Sequence, residues 1–250
     1  MFNSNIQKGG ALLDDTRRLV EAWSDDLSPA ENLARILDEN VLGKRSRMRA
    51  EDVLRRILKP RFVDPGVHVI AGLRGLLTKP PSFREACYYE ASRDDRLLAV
   101  FVEEHLFESF QAGRTTVTIE ETTDWLEVLA DKGDAPLWSD SVRIKVARGL
   151  LAALRDFAVL EGGAHKRFAT PRMTPSGFSY VAFREHEQGR SSRGLVDSHI
   201  WRRWLLDDSR IGDLFLQAER LGVLRFSRVG SSVRIDWAVT RLEEVTGAAA

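Results

Sequence analysis

Lys44, Arg45, Ser46, Arg47 and Arg49 fall within six consecutive positions, and Arg55, Arg56, Lys59 and Arg61 extend the series. Guanidinium and ammonium groups gathered around a hydroxyl suit phosphate recognition: arginine forks match phosphate oxygens in pairs, lysine adds a point charge, and serine donates one bond. A second group repeats the pattern, with Ser139, Ser141, Arg143, Lys145, Arg148 and Arg155 followed by Lys166, Arg167 and Arg172. Its spacings of three and four are those that bring helical side chains to one face. Arg225, Arg228 and Arg234 form a third set, but Asp208, Asp213 and Glu219 precede it and would repel a phosphate backbone. A competing assignment stays open for all three: solvated helix faces, or ion pairs within the chain, with Asp38, Glu39 and Asp52 as partners of the first group.

Catalytic patterns are absent from the same sequence. No G-x-x-x-x-G-K-[ST] or G-x-G-x-x-G loop occurs; Gly72-Leu73-Arg74-Gly75 lacks the context of a phosphate-binding turn. His68, His105, His165, His186 and His199 are scattered, with no pair at the i, i+4 spacing of a helical zinc site. Glu185-His186-Glu187 reads as a solvated helix face. Cys87, between Ala86 and Tyr88-Tyr89, reads as a small buried hydrophobe, since a thiol nucleophile needs a base that nothing nearby marks. No enzymatic activity, metal or cofactor is expected.

The elements that must carry the basic residues follow from periodicity. Apolar residues at helical spacing predict a helix over 11–24. Ser28-Pro29-Ala30-Glu31 is a capping box that starts a second helix, ended at Gly43. Ser46 starts a third, stopped by Pro60. Two helices joined by a short basic turn make a helix-turn-helix, whose second helix would offer Lys44, Arg45, Ser46, Arg47, Arg49 and Arg56 to DNA. A connector punctuated by glycine and proline spans 65–81, and helices follow near 83–91 and 94–110. A short strand near 117–119 leads to a helix over 120–131, a long helix over 139–160 closed by Gly162-Gly163, and a short strand or hairpin over 166–173. This order carries Ser141, Arg143, Lys145, Arg148, Lys166, Arg167 and Arg172. A tryptophan-rich helix over 198–206, a helix over 209–221 and two alternating strands within 223–237 close the chain. The fold class expected is mainly α: a helical N-terminal domain with a helix-turn-helix over 1–113, a winged-helix-like middle module over 114–176, and a C-terminal winged-helix module over 177–250, each wing a small β-hairpin.

Equal numbers of basic and acidic residues, 37 of each, argue against an indiscriminate nucleic-acid coat. The charges are nevertheless segregated. Residues 44–61 carry eight Lys/Arg against two Asp/Glu, residues 89–140 four against thirteen, and residues 141–203 twelve against five. Separate positive and negative surfaces are the expected result. One cysteine, the absence of an apolar run long enough to span a bilayer and the absence of a signal pattern predict a soluble, cytoplasmic protein.

Several short motifs are more specific. Lys8-Gly9-Gly10-Ala11-Leu12-Leu13, Asp15-Thr16-Arg17, Asn40-Val41-Leu42-Gly43-Lys44-Arg45-Ser46-Arg47 and Leu58-Lys59-Pro60-Arg61-Phe62 resemble the BrxA family of BREX phage-defence systems. The first 60 residues carry most of the resemblance; the C-terminal half matches in architecture more than in motif. The resemblance implies a helical, non-catalytic component of a bacterial defence island that binds double-stranded DNA, with other BREX proteins as further partners. The membrane label attached to the family does not suit a sequence with no spanning segment. Two alternatives remain: an RNA-binding module, disfavoured by the absence of an RRM or KH motif, and an adaptor that docks onto larger defence proteins through the acidic 89–140 segment and the C-terminal module.

Overall fold

The computed structural model describes residue 2 and residues 5–247, apart from the side chain of residue 8. In chain order the elements are α1 (Ile6–Gly9), α2 (Leu13–Ala22), α3 (Pro29–Asp38), α4 (Arg47–Val53, continued in π-helical turns over Leu54–Val63), α5 (Val67–Arg74), α6 (Pro80–Asp94), α7 (Arg96–Val100, continued over Phe101–Leu106) and α8 (Phe107–Gln111). Then come β1 (Thr116–Val117), α9 (Ile119–Asp131), α10 (Asp140–Asp156), β2 (Leu160–Glu161), β3 (Lys166–Phe168), α11 (Pro175–Glu187) and α12 (Ser192–Val196). A 3-10 turn (His199–Trp204), α13 (Asp208–Arg220), β4 (Leu224–Val229), β5 (Ser232–Trp237) and α14 (Leu242–Gly247) complete them. The protein is mainly α-helical with two small antiparallel sheets, as its periodicity predicts.

Contacts divide the chain into two units, one formed by 1–12, 91–172 and 199–205, the other by 13–90, 173–198 and 206–250. Each unit draws on more than one of the three consecutive modules expected from sequence.

In the first unit, β3 lies between β1 and β2, pairing Thr116 with Arg167 and Leu160 with Phe168. α9 and α10 bury Leu126 and Leu129 and Val146, Leu150, Leu151 and Leu154. Thr118 and Glu121 form a capping box that starts α9 directly after β1. Gly149 lets the backbone of α1 lie against α10: a Cβ there would stand 2.9 Å from Gln7 Cα.

In the second unit, α6 is buried from Ser82 to Glu90 except at Arg84, α11 is buried from Ser176 to Glu185, and Phe178 meets Phe215 edge-on at 4.8 Å. Glu90, fully buried, accepts hydrogen bonds from Arg184 Nε at 2.8 Å and Tyr180 Oη at 2.9 Å, so the buried charge is paired and bonded. β4 and β5 pair over six residues each around a Gly230-Ser231 turn, where Gly230 at φ +59° supplies the backbone a two-residue hairpin needs.

Four expectations are corrected. The 65–81 connector contains a helix, α5. Its glycines serve packing, since a Cβ at Gly72 would stand 2.7 Å from Leu242 and one at Gly75 would meet Thr246. Pro60 does not stop the third helix. The ring clashes with the carbonyl four residues back in an α-turn, but π-turns pass each carbonyl to the fifth residue and let the chain continue to Val63. Two helices end before the glycines expected to close them. Asn40 (φ +48°) and Ala158 (φ +59°) take the left-handed position, and Val41 and Val159 donate to Ile36 O and Leu154 O, closing α3 and α10 in Schellman motifs. The tryptophan-rich segment forms only a 3-10 turn over His199–Trp204.

Candidate nucleic-acid interface

α10 is amphipathic with a basic outer stripe. Val146, Leu150 and Leu154 face the core of the first unit, and Ser141, Lys145, Arg148 and Arg155 stay on the exposed side, about a turn apart. Lys145 and Arg148 have no hydrogen bond or ion pair among the described residues. Ala152 between Arg148 and Arg155 is small, so a ligand surface can approach the helix backbone there. Arg143 is different. Its side chain is mostly buried, held by Asp140 at 2.8 Å and Glu127 at 3.5 Å, so it belongs to the α9–α10 junction. Ser141 faces Ser139, their hydroxyl oxygens 3.3 Å apart.

The hairpin after α10 divides the remaining predicted residues. Lys166 is buried, and its ammonium donates to the carbonyls of Gly162 and Gly163. It fixes the β2–β3 turn and is not available to a phosphate, because strand alternation turns it inward while its neighbour points out. Arg167 is exposed and pairs across the strands with Glu161 at 3.2 Å. Arg172 is exposed beyond β3, with no partner among the described residues.

The first basic group sits in the second unit on the turn before α4 and along it. Ser46 caps α4 by accepting from Arg49 N at 3.2 Å, so its hydroxyl has a structural task. Lys44 is drawn in to Asp15 at 2.7 Å, with 24% of the lysine side chain and 8% of the aspartate exposed. Arg47 pairs with Asp38, Arg49 and Arg56 with Asp52, and Arg55 with Glu51. Arg45 is exposed without such a partner among the described residues, and Met48 is 79% exposed. The local excess of positive charge legible in the sequence is therefore largely offset here by acids from α2, α3 and α4 itself. The exposed pairs among these are weak and can be exchanged for phosphate; the Lys44–Asp15 pair is not.

At the C-terminal hairpin, Arg234 pairs with Asp236 at 2.8 Å, and Glu219 accepts from Phe226 N at 3.3 Å. Arg225 and Arg228 are exposed, as is Val229 at the turn.

Two readings of single residues meet different ends. Cys87 is wholly buried, and burial, with the neighbouring Glu90 carboxylate, pushes its thiol well up, so it stays protonated. Glu185-His186-Glu187, by contrast, is not a uniformly solvated face. Glu185 points inward, accepting from Tyr89 Oη at 2.9 Å and from Arg190, and His186 stacks on Trp237 at 5.2 Å between ring centres. Among the described residues no group of three or more His, Cys, Asp or Glu could hold a metal ion, and no helix is long and apolar enough to cross a membrane.

A model of the BrxA family matches residues 1–185, a span that includes both basic groups and ends within α11. The crystal structure of an uncharacterized protein from Magnetospirillum magneticum is similar with a TM-score of 0.62 at 18% identity, covering 81% of this chain and 97% of that one. At that identity the likeness is one of fold. No curated protein matches the chain.

Proposed function

The chain belongs to the BrxA family, associated with BREX phage defence, and from that premise we propose that it is a non-catalytic accessory protein that binds double-stranded DNA mainly through phosphates. The observation that carries this reading is the outer stripe of α10: Lys145 and Arg148 are exposed, unpaired among the described residues and one turn apart, on the second helix of a strand–helix–helix–hairpin unit. We read the order β1–α9–α10–β2–β3, with β3 between the other two strands, as winged-helix-like. Such a unit offers its second helix to a groove and its hairpin to the adjacent backbone, so Arg167 and Arg172 extend the same phosphate-binding set. The turn before α4, with Arg45, Arg47 and Arg49, is a second and weaker contact because Arg47 and Arg49 must first leave Asp38 and Asp52. The buried, protonated thiol of Cys87 suits a protein without a nucleophile.

An adaptor role accompanies this reading and has its own observation. On α9 the exposed residues Glu120, Asp124, Glu127, Val128 and Asp131 follow one helical stripe, an acidic face around an apolar spot that suits a basic partner protein.

The deciding experiment is a titration of labelled duplex DNA, single-stranded DNA and duplex RNA at two salt concentrations. Duplex DNA bound most tightly, and markedly less tightly at the higher salt, is the expected result. Preference for either other ligand, or affinity indifferent to salt, overturns the reading.

A further inference from the structure

At the C-terminal end of α10 the first unit contains a cleft of about 360 Å³. It is lined by the apolar residues Ala158, Leu160 and Ala169, by Glu161 and Gly162, and by Arg155, Thr170 and Arg172. The Schellman closure of α10 creates this shape. Ala158 at φ +59° turns the chain sharply into β2, and Ala158 itself lines the cleft.

Two carboxylates stand near, and both are engaged. Asp156 accepts from Arg155 Nε at 2.9 Å and Nη2 at 2.6 Å, and Glu161, which also lines the cleft, pairs with Arg167 at 3.2 Å. Arg172 has no hydrogen bond or ion pair among the described residues, and neither has the Thr170 hydroxyl. A guanidinium fork and a hydroxyl beside the apolar side chains of Ala158, Leu160 and Ala169 match a ligand with a phosphate at one end and a flat apolar surface at the other. The volume lies in the range of small-ligand pockets.

The geometry points to this cleft as a binding site for a nucleoside monophosphate, with Arg172 and Arg155 on the phosphate and the base over Ala158, Leu160 and Ala169. The ligand is either a free mononucleotide or the 5′-terminal nucleotide of a DNA strand, which share this chemistry. The inference goes beyond duplex binding by α10: Lys145 and Arg148 do not line the cleft, while Arg155 and Arg172 belong to both sets, so binding of the free mononucleotide tests the cleft separately.

The test titrates the full chain by calorimetry with 2′-deoxyadenosine 5′-monophosphate, 2′-deoxyadenosine and inorganic phosphate, repeated with Arg172→Glu and with Arg155→Gln. Thermal melts establish that both variants are folded; Arg172 is exposed, so its reversal leaves the core intact. Saturable binding of the nucleotide is expected, weakened at least about tenfold without the phosphate, without the base, or in Arg172→Glu, the scale of a lost charge-assisted contact. No saturable binding, equal binding in a folded Arg172→Glu variant, or inorganic phosphate bound as tightly as the nucleotide overturns the proposal. Short duplexes with 5′-phosphate or 5′-hydroxyl ends separate the two sources. A preference for the phosphorylated end that Arg172→Glu abolishes assigns the cleft to a DNA terminus, and indifference to the end, with the mononucleotide bound, assigns it to the free nucleotide.

Discussion

Neutralising Lys145 and Arg148 together, as Lys145→Gln with Arg148→Gln, should separate binding from folding. Both side chains are exposed and make no contact that the fold uses, and Gln has nearly the helix propensity of Lys and Arg, so stability should change by less than about 0.5 kcal/mol. The effect on DNA is larger. Each phosphate neutralised by a basic side chain contributes about 0.9 to the slope of log K against log[salt], so losing two contacts should flatten that slope by about 1.8. If four to six phosphates are engaged, a slope of about −4 to −5 becomes about −2 to −3. Extrapolated from 1 M to 0.1 M salt, the missing 1.8 corresponds to a loss of about 60-fold in affinity. Fluorescence anisotropy of a labelled duplex across a salt series reads both quantities. The loss should be nearly equal for unrelated sequences, because phosphate contacts carry no base information. An unchanged slope in a folded variant would remove α10 from the interface, whatever the fate of DNA binding itself.

The α4 group should rank lower. Reversing Arg45 and Arg49 together is expected to weaken duplex binding less than the α10 pair does, measured in the same anisotropy series, while Lys44→Ala should destabilise the fold by about 1–3 kcal/mol in urea titrations by leaving Asp15 buried without its cation. Glu90→Ala strands the Tyr180 hydroxyl in the core and takes from Arg184 its buried carboxylate, leaving it only Glu187 and His68, and a loss of about 3–5 kcal/mol is expected from chemical denaturation, with a change under 1 kcal/mol refuting the importance of that pair. His105 stacks on Phe101 and makes a tilted contact with Trp125, and burial holds its pKa below the usual imidazole value against the raising effect of Glu121. The unfolded chain therefore binds the proton more readily, so this contribution to stability is complete above about pH 6.5 and declines as pH falls through that value. His105→Phe should remove this part of the acid sensitivity in melts between pH 5 and 8, where an unchanged profile would contradict the assignment.

Much of the local structure was legible because its causes are local. The capping box at Ser28 and Glu31, the α9 and α13 stripes and the β4–β5 hairpin each follow from side chains within a few residues of one another. The positive residues themselves, and the family, were legible in the same way, since composition and short motifs need no partner. Helix ends were read less well: glycine was expected where Asn40 and Ala158 take the left-handed position, and closure there depends on carbonyls and packing that the residue type does not announce. Pro60 was misread for a related reason, because a π-turn is a response to surrounding packing. Charge was the quantity least determined by sequence. The eight basic residues of 44–61 look denser than the stripe of α10, yet Asp15 and Asp38, distant along the chain, reach Lys44 and Arg47, and alternation in β3 buries Lys166 beside an exposed Arg167. Sequence counts charges, whereas only the folded chain decides which of them find an opposite charge and which are left facing water, because Coulomb attraction and desolvation depend on distance and burial that tertiary contacts set.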